Sequence, residues 1–354
     1  YIYNLATKQI QSVSDKGKQQ VVSFSPNGKK LAFVRENNIF IKDIENNEEI
    51  QITSDGQINK ILNGIPDWVY EEEFSFSKAY EWSADGNYLA YIKFNETNVK
   101  DFSLMMYAGE KPKMKEYELY PGLYTYKYPK AGEENSKVGV YVYNLTTKET
   151  QKVEIGDEND IYIPRIKWES KGEWLGICKV NRFQNTLELF TYNPNTKKSD
   201  VILKETNKKY IGDEFYNNFI FTDNYIFLLS ERDGWRHIYM YNKNGELIKQ
   251  LTSGNFDVVE IYGADEKNKK VYFQAAMVSP TEKEVYSVGF DAKKVICLTN
   301  EKGISSATFS ENFKYFVNQF SNIKTPYIFT VRDNNGKIIR TIENNAEFSE
   351  QIKT

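Results

Sequence analysis

The densest chemistry in the sequence is the run Asp67-Trp68-Val69-Tyr70-Glu71-Glu72-Glu73-Phe74. Asp67 is a residue type that caps a short helix. The acidic residues behind it would lie in the first turns, where the helix dipole favours negative charge. On composition alone the run reads as an acidic helical turn on a surface, but a carboxylate cluster could instead bind a cation. An ammonium group has three donors and no acceptor, so two carboxylates can satisfy most of it. Adjacent helical residues point about 100° apart, so two neighbouring glutamates converge on one ligand only where a short helix presents its end.

Other reactive groups are few. The single histidine, His237, opens a strand containing Tyr239 and Tyr241 and reads as a hydrogen-bonded packing residue. With one histidine and no cysteine pairs at ligand spacing, no metal site is expected. Cys178 and Cys297 fall in the apolar stretches LGICKV and KVICLT and read as two buried free thiols; a disulfide between them cannot be argued from spacing alone. There is no G-x-S-x-G nucleophile motif, and no Ser-Asp-His order can be built on His237. No catalytic residue and no cofactor are expected in this chain, which by itself should hydrolyse nothing.

The elements that must position these residues are strands. Tyr and Phe number 26 and 22, a bias toward pleated, half-buried surfaces. A formal charge of −3, from 46 basic and 49 acidic residues, gives no field that would draw nucleic acid. No stretch approaches the ~20 apolar residues of a membrane span. An apolar strand behind a polar turn recurs as SPNGKKLAFV from Ser25, SADGNYLAYI from Ser83 and ESKGEWLGIC from Glu169. A second strand follows, as in NNIFIKDI from Asn37 and RHIYMYNKNG from Arg236, and a third element closes the unit as EEIQIT, ELIKQLT or KVICLT. The Asn-Gly and Asp-Gly pairs predict type I′ hairpin turns. A period of roughly 40 residues with several antiparallel strands is the pattern of a β-propeller blade.

The expected fold is therefore all-β, with four-stranded antiparallel blades. Six units are expected at 21–53, 80–153, 163–203, 219–252, 260–299 and 307–342, with Tyr1–Val13 as the outer half of an earlier blade. Almost no helix is expected outside 67–76. Insertions at 63–80, between the first two full blades, and 99–137, inside the second, interrupt the repeat. The whole of 1–354 is expected to be one incomplete propeller domain. Because Tyr1–Leu5 already reads as mid-strand, the chain is expected to be a fragment, with any targeting signal upstream.

At 67–73 the sequence becomes specific. DWVYEEE resembles the signature of the dipeptidyl-peptidase IV family of serine exopeptidases. Tyr128–Gly132 (YPKAG), Asn181–Asn185 (NRFQN) and Ser230–Trp235 with His237 (SERDGWRH) resemble further family segments in the same order. The resemblance implies that Glu72 and Glu73 bind the free amino group of a peptide substrate. Glu71 would point outward, and Asp67, Trp68 and Tyr70 would support the motif. No site is expected at Arg182, a strand-end contact.

The resemblance also implies an eight-bladed propeller followed by an α/β-hydrolase domain, which this chain lacks. The chain likewise starts after the blade in which the family carries a substrate-contacting arginine. The expected function is substrate recognition and gating for an enzyme that releases N-terminal dipeptides with Pro or Ala second. The alternative is a non-catalytic scaffold for protein partners. A propeller glycosidase would need carboxylates on several blades, a pattern the sequence does not show. Partners implied are peptides with a free N-terminus, the hydrolase domain, and a second copy through an arm at 99–127; the competing reading of that segment is a hairpin folded back on its own blade. The implied location is periplasmic, secreted or membrane-anchored outside the cytoplasm.

Overall fold

The computed structural model describes residues 1–111 and 113–351; Pro112, within the expected arm, and residues 352–354 lie outside the described residues. The chain divides into two compact units, Tyr1–Val201 and Ile202–Thr354.

In the first unit, strands Gln20–Phe24, Lys30–Arg35, Asn38–Asp43 and Glu49–Gln51 form one sheet in chain order. Ile161–Trp168, Leu175–Asn181, Thr186–Asn193 and Lys198–Thr206 form another, its last strand running across the division. In the second unit three sheets open on Ile220–Phe221, Val258–Asp265 and Ile304–Phe309 and close on Leu247–Gln250, Val295–Cys297 and Ile338–Glu343. These are propeller blades: antiparallel meanders of four strands, falling on the units read from the sequence. A short hairpin, Ile2–Tyr3 with Ile10–Gln11, precedes them. Besides the expected helix, the described residues form two more short α-helices, Asp213–Asn217 and Ala346–Gln351, and a 3-10 turn at Lys115–Tyr117.

Outside the last blade, whose strand Tyr315–Asn322 is exposed at alternate residues, the central strands are buried on both faces because sheet packs on sheet. Leu31 to Val34 are all fully buried, and Ala32, Val34, Ile39 and Ile41 of one blade pack with Tyr80, Trp82, Leu89 and Tyr91 of the next. In the second unit Phe227, Leu229, Ile238 and Met240 pack in the same way with Val258, Val271 and Phe273.

The turns differ from the type I′ expectation. Ser25, Ser83, Glu169 and Ser310 each donate their amide five residues on, to Lys30, Tyr88, Trp174 and Tyr315, closing four-residue loops. Each loop starts with a type I turn, and only its third residue has positive φ: Gly28, Gly86, Gly172 and, with a side chain, Phe313. The Asn or Asp before Gly28, Gly86 and Phe313 stays at negative φ because its side chain caps the turn, as Asn27 Oδ1 does for the Lys29 amide at 3.0 Å; Lys171 holds the same place before Gly172.

The third repeat element also has a physical role. The hydroxyls of Thr53, Thr252 and Thr299 accept from the amides of Ile39, Ile238 and Val285 at 2.9, 3.0 and 2.9 Å, locking each outer strand to the start of its neighbour.

Cys178 is buried, as expected, but Cys297 is exposed, and both are free thiols. Cys297 lies on an outermost strand, where no further strand covers the edge.

The second blade is the irregular one. Ile61–Asn63 and Tyr80–Trp82 both pair with Tyr88–Asn95, so the insertion at 63–80 interrupts the innermost strand rather than lying between blades. Its ends meet: the Ala79 amide donates to Gly64 O at 2.9 Å. Gly64 has φ +73, and a Cβ there would meet Ile39 Cγ1 at 2.8 Å. The other insertion forms its own two-stranded sheet, Asp101–Met106 with Gly122–Lys127.

Candidate functional site

The helix carried by the first insertion spans Trp68–Glu72. Five residues cannot hold a helix in water, so neighbours must fix it. Asp67 is the N-cap, as read from the sequence, with Oδ1 accepting from the Tyr70 amide at 3.1 Å. Its Oδ2 accepts from the Ser136 hydroxyl. Burial pushes the Asp67 carboxyl up, and these donors pull it back.

Tyr70 anchors the buried side. It is 2% exposed, its ring lies 4.8 Å from Phe94 and 5.0 Å from Phe74, and its hydroxyl accepts from the Ile163 amide at 2.9 Å. That amide is available because strand Ile161–Trp168 has a register shift between Tyr162 and Arg165, at Pro164. Bulges beside sites re-aim side chains in this way. Here the bulge also sends Arg165 Nη2 to Phe74 O at 2.6 Å, holding the segment just past the helix.

Glu72 is the last helical residue and Glu73 the C-cap, its amide donating to Val69 O at 2.8 Å. The sequence placed all three acids in the first turns, but only Glu71 lies there. Phe74 turns into the core and ends the helix, leaving Glu72 and Glu73 at the C-terminal end. The dipole there opposes carboxylates and favours a cation. All three glutamates are exposed, and none makes a side-chain hydrogen bond or ion pair among the described residues. Also among the described residues, no three or more His, Cys, Asp or Glu gather to hold a metal ion. The end of the helix can therefore offer two free carboxylates to a cationic group.

Tyr128 of YPKAG packs on Trp68, ring centroids 4.2 Å apart. Arg182 sits just past strand Leu175–Asn181, donates to Glu133 O and pairs with Asp160 at 3.5 Å. In the second unit, His237 is fully buried, Nδ1 to Thr252 Oγ1 at 3.1 Å and Nε2 to Gly254 O at 3.0 Å. It is the packing residue its sequence position suggested.

Sequence reasoning assigned no role to Ser136, Arg165 or Glu96. Glu96 is 5% exposed, and burial, then the charge of Asp67, pushes its carboxyl up to about 7. Nothing near these residues in sequence marks them, because their partners lie many residues away.

Comparison with known proteins adds an independent line. The family profile described as the dipeptidyl peptidase IV (DPP IV) N-terminal region matches residues 1–327. The probable dipeptidyl peptidase 4 of Arthroderma benhamiae is 31% identical over 95% of this chain and 44% of its own length. The dipeptidyl peptidase 4 of Trichophyton rubrum matches equally, at 31%. The crystal structure of Porphyromonas gingivalis dipeptidyl peptidase 4 superposes with a TM-score of 0.92 at 37% identity, covering 99% of this chain and 49% of that one. A putative dipeptidyl aminopeptidase IV from Bacteroides ovatus, at 24% identity and TM-score 0.79, shares the fold. The chain spans about half the length of these relatives.

Proposed function

The chain belongs to the dipeptidyl peptidase IV family, as its N-terminal region, and from that premise we propose that it is the substrate-recognition part of a serine exopeptidase. The longer protein removes dipeptides from free peptide N-termini, with Pro or Ala preferred at the second position. The nucleophile lies on a hydrolase domain of the same polypeptide, and this chain forms one propeller domain that restricts entry to chain ends. The protein acts outside the cytoplasm and pairs with a second copy through the arm. No helix among the described residues is long and apolar enough to cross a membrane.

The observation that carries the reading is the pair of unpartnered carboxylates at the end of the Trp68–Glu72 helix. The substrate ammonium donates to Glu72 and Glu73, and each charge-assisted bond contributes roughly 1.5–3 kcal/mol. Two close carboxylates repel each other, and the arriving cation relieves that repulsion. An N-acylated peptide brings no charge and is rejected.

The test is substitution in the full-length protein. Glu72→Ala or Glu73→Ala should each lower kcat/KM for Gly-Pro-nitroanilide by about tenfold or more. The rate at which a small phosphonylating reagent, which makes no use of the amine site, labels the serine should not change. Normal cleavage by both variants would reduce the glutamates to an acidic surface turn. Absence of any serine labelling in the full-length protein would favour the scaffold alternative.

A further inference from the structure

The helix that presents Glu72 and Glu73 is tied to two places. One is the bulged strand Ile161–Trp168, through Tyr70 and Phe74. The other is the return limb of the arm. Ser136, buried, donates to Asp67, and the Tyr128 ring packs against Trp68, so cap and first residue both rest on residues from that limb. The limb is fixed in turn where the arm leaves the blade: the Tyr128 amide donates to Lys100 O at 3.0 Å, and Lys100 pairs with Glu133 at 2.7 Å.

From Tyr128 a row of rings continues outward. Tyr128 lies 5.4 Å from Phe102 and 6.1 Å from Tyr126, and Tyr126 lies 5.5 Å from Tyr124, which is 56% exposed. The register makes this one face, since Phe102 opposes Tyr126 and Leu104 opposes Tyr124. Contiguous packed aromatics transmit displacement because they have few alternative arrangements. A five-residue helix has too few internal hydrogen bonds to hold its own shape, so its end depends on the contacts at its cap as well as on those of Tyr70 and Phe74.

We infer that Tyr128 and Ser136 are positioning residues for the Glu72–Glu73 pair, which makes the arm a part of the amine-recognition device and not only a surface beside it. Neither residue touches the substrate. Tyr128 acts through Trp68 and Ser136 through Asp67. The inference rests on the amine-binding reading above and specifies what regulates that site.

The experiment is done in the full-length protein. Tyr128→Ala should raise KM for Gly-Pro-nitroanilide by about fivefold or more while kcat stays within about twofold, since ground-state placement of the amine is lost and the chemistry is not. Tyr128→Phe, which keeps the ring, should behave as wild type. Ser136→Ala should shift KM in the same direction. Serine labelling by the phosphonylating reagent should be unchanged throughout. Combining Tyr128→Ala with Glu73→Ala should cost little beyond Glu73→Ala alone, because both act on one device.

Hydrogen exchange at the amides of 70–73 should quicken in Tyr128→Ala, and this readout does not depend on activity. Unchanged exchange and KM in Tyr128→Ala, or losses that simply multiply in the double variant, would overturn the inference. Should Tyr128→Ala not fold, Tyr128→Leu carries the same test, keeping apolar volume without the ring. If the glutamate variants are fully active while exchange quickens, the amine reading fails and the tether stands.

Discussion

Glu96 lies among charges of both signs: Asp67 and Asp101 raise its carboxyl, Lys127 lowers it, and burial outweighs them all. Its value near 7 in the folded chain exceeds the ordinary 4.5. Between the two, the folded state holds a proton that the unfolded state has released. The stability from protonated Glu96 is thus fully present below about 4.5 and lost as pH rises through about 7. The raised Asp67 carboxyl acts in the same direction. Melting temperature should fall between about pH 5 and 7.5, and Glu96→Gln, neutral at every pH, should flatten that fall; parallel profiles for the two proteins would show that Glu96 is not the titrating group. At this scale the sequence revealed what is local. Asp67 as cap and the exposed glutamates follow from residue types within a few positions. Ser136 and Ile163 reach the helix across 69 and 93 residues, and no local pattern encodes such contacts.

Among the elements, the broken strand Ile61–Asn63 and Tyr80–Trp82 is the one whose geometry depends on a single glycine. Gly64 at φ +73 faces the fully buried Ile39, whereas Gly28 at φ +69 has open space around its missing Cβ. Both pay the positive-φ strain on substitution, about 1 kcal/mol. Gly64→Ala adds overpacking of about 1–3 kcal/mol. Urea midpoints should therefore fall further for Gly64→Ala than for Gly28→Ala, and equal shifts would mean that Ile39 yields without cost. The repeat of apolar strands and polar turns made the blades legible, since most central strands are covered on both faces; Tyr315–Asn322 of the last blade, with alternate residues exposed, is the exception. The innermost strand of the second blade was not, because three residues before a sixteen-residue excursion carry no periodicity. Turn type is not legible for a comparable reason: Asn-Gly suits type I′ and the four-residue loop alike, and the hydrogen bond across Ser25 and Lys30 decides between them.

For the molecule as a whole, the arm is the feature that reaches outward. Among the described residues its hairpin pairs with no blade, and it exposes Leu104, Met105, Tyr107, Leu119, Tyr120, Leu123 and Tyr124. Apolar ribbons of this kind are contact surfaces more often than ornament. Deleting 102–124 from the full-length protein should convert a dimer to a monomer in sedimentation velocity, and an unchanged dimer would place the interface elsewhere. The division between the two compact units falls near Val201, inside strand Lys198–Thr206, where no change of composition marks it. The strict chain order of the strands has a further effect, on synthesis. A strand pairs with the one made just before it, so a blade of roughly 40 residues can close within a few seconds of leaving the ribosome, at about 5–20 residues per second. The second blade must wait: Ile61–Asn63 stays unpaired until Tyr88–Asn95 emerges, and that strand waits through the whole arm for Lys137–Asn144. The segment that carries the candidate site is thus enclosed later after its synthesis than the strands of the regular blades are, and stays open to other contacts for that time.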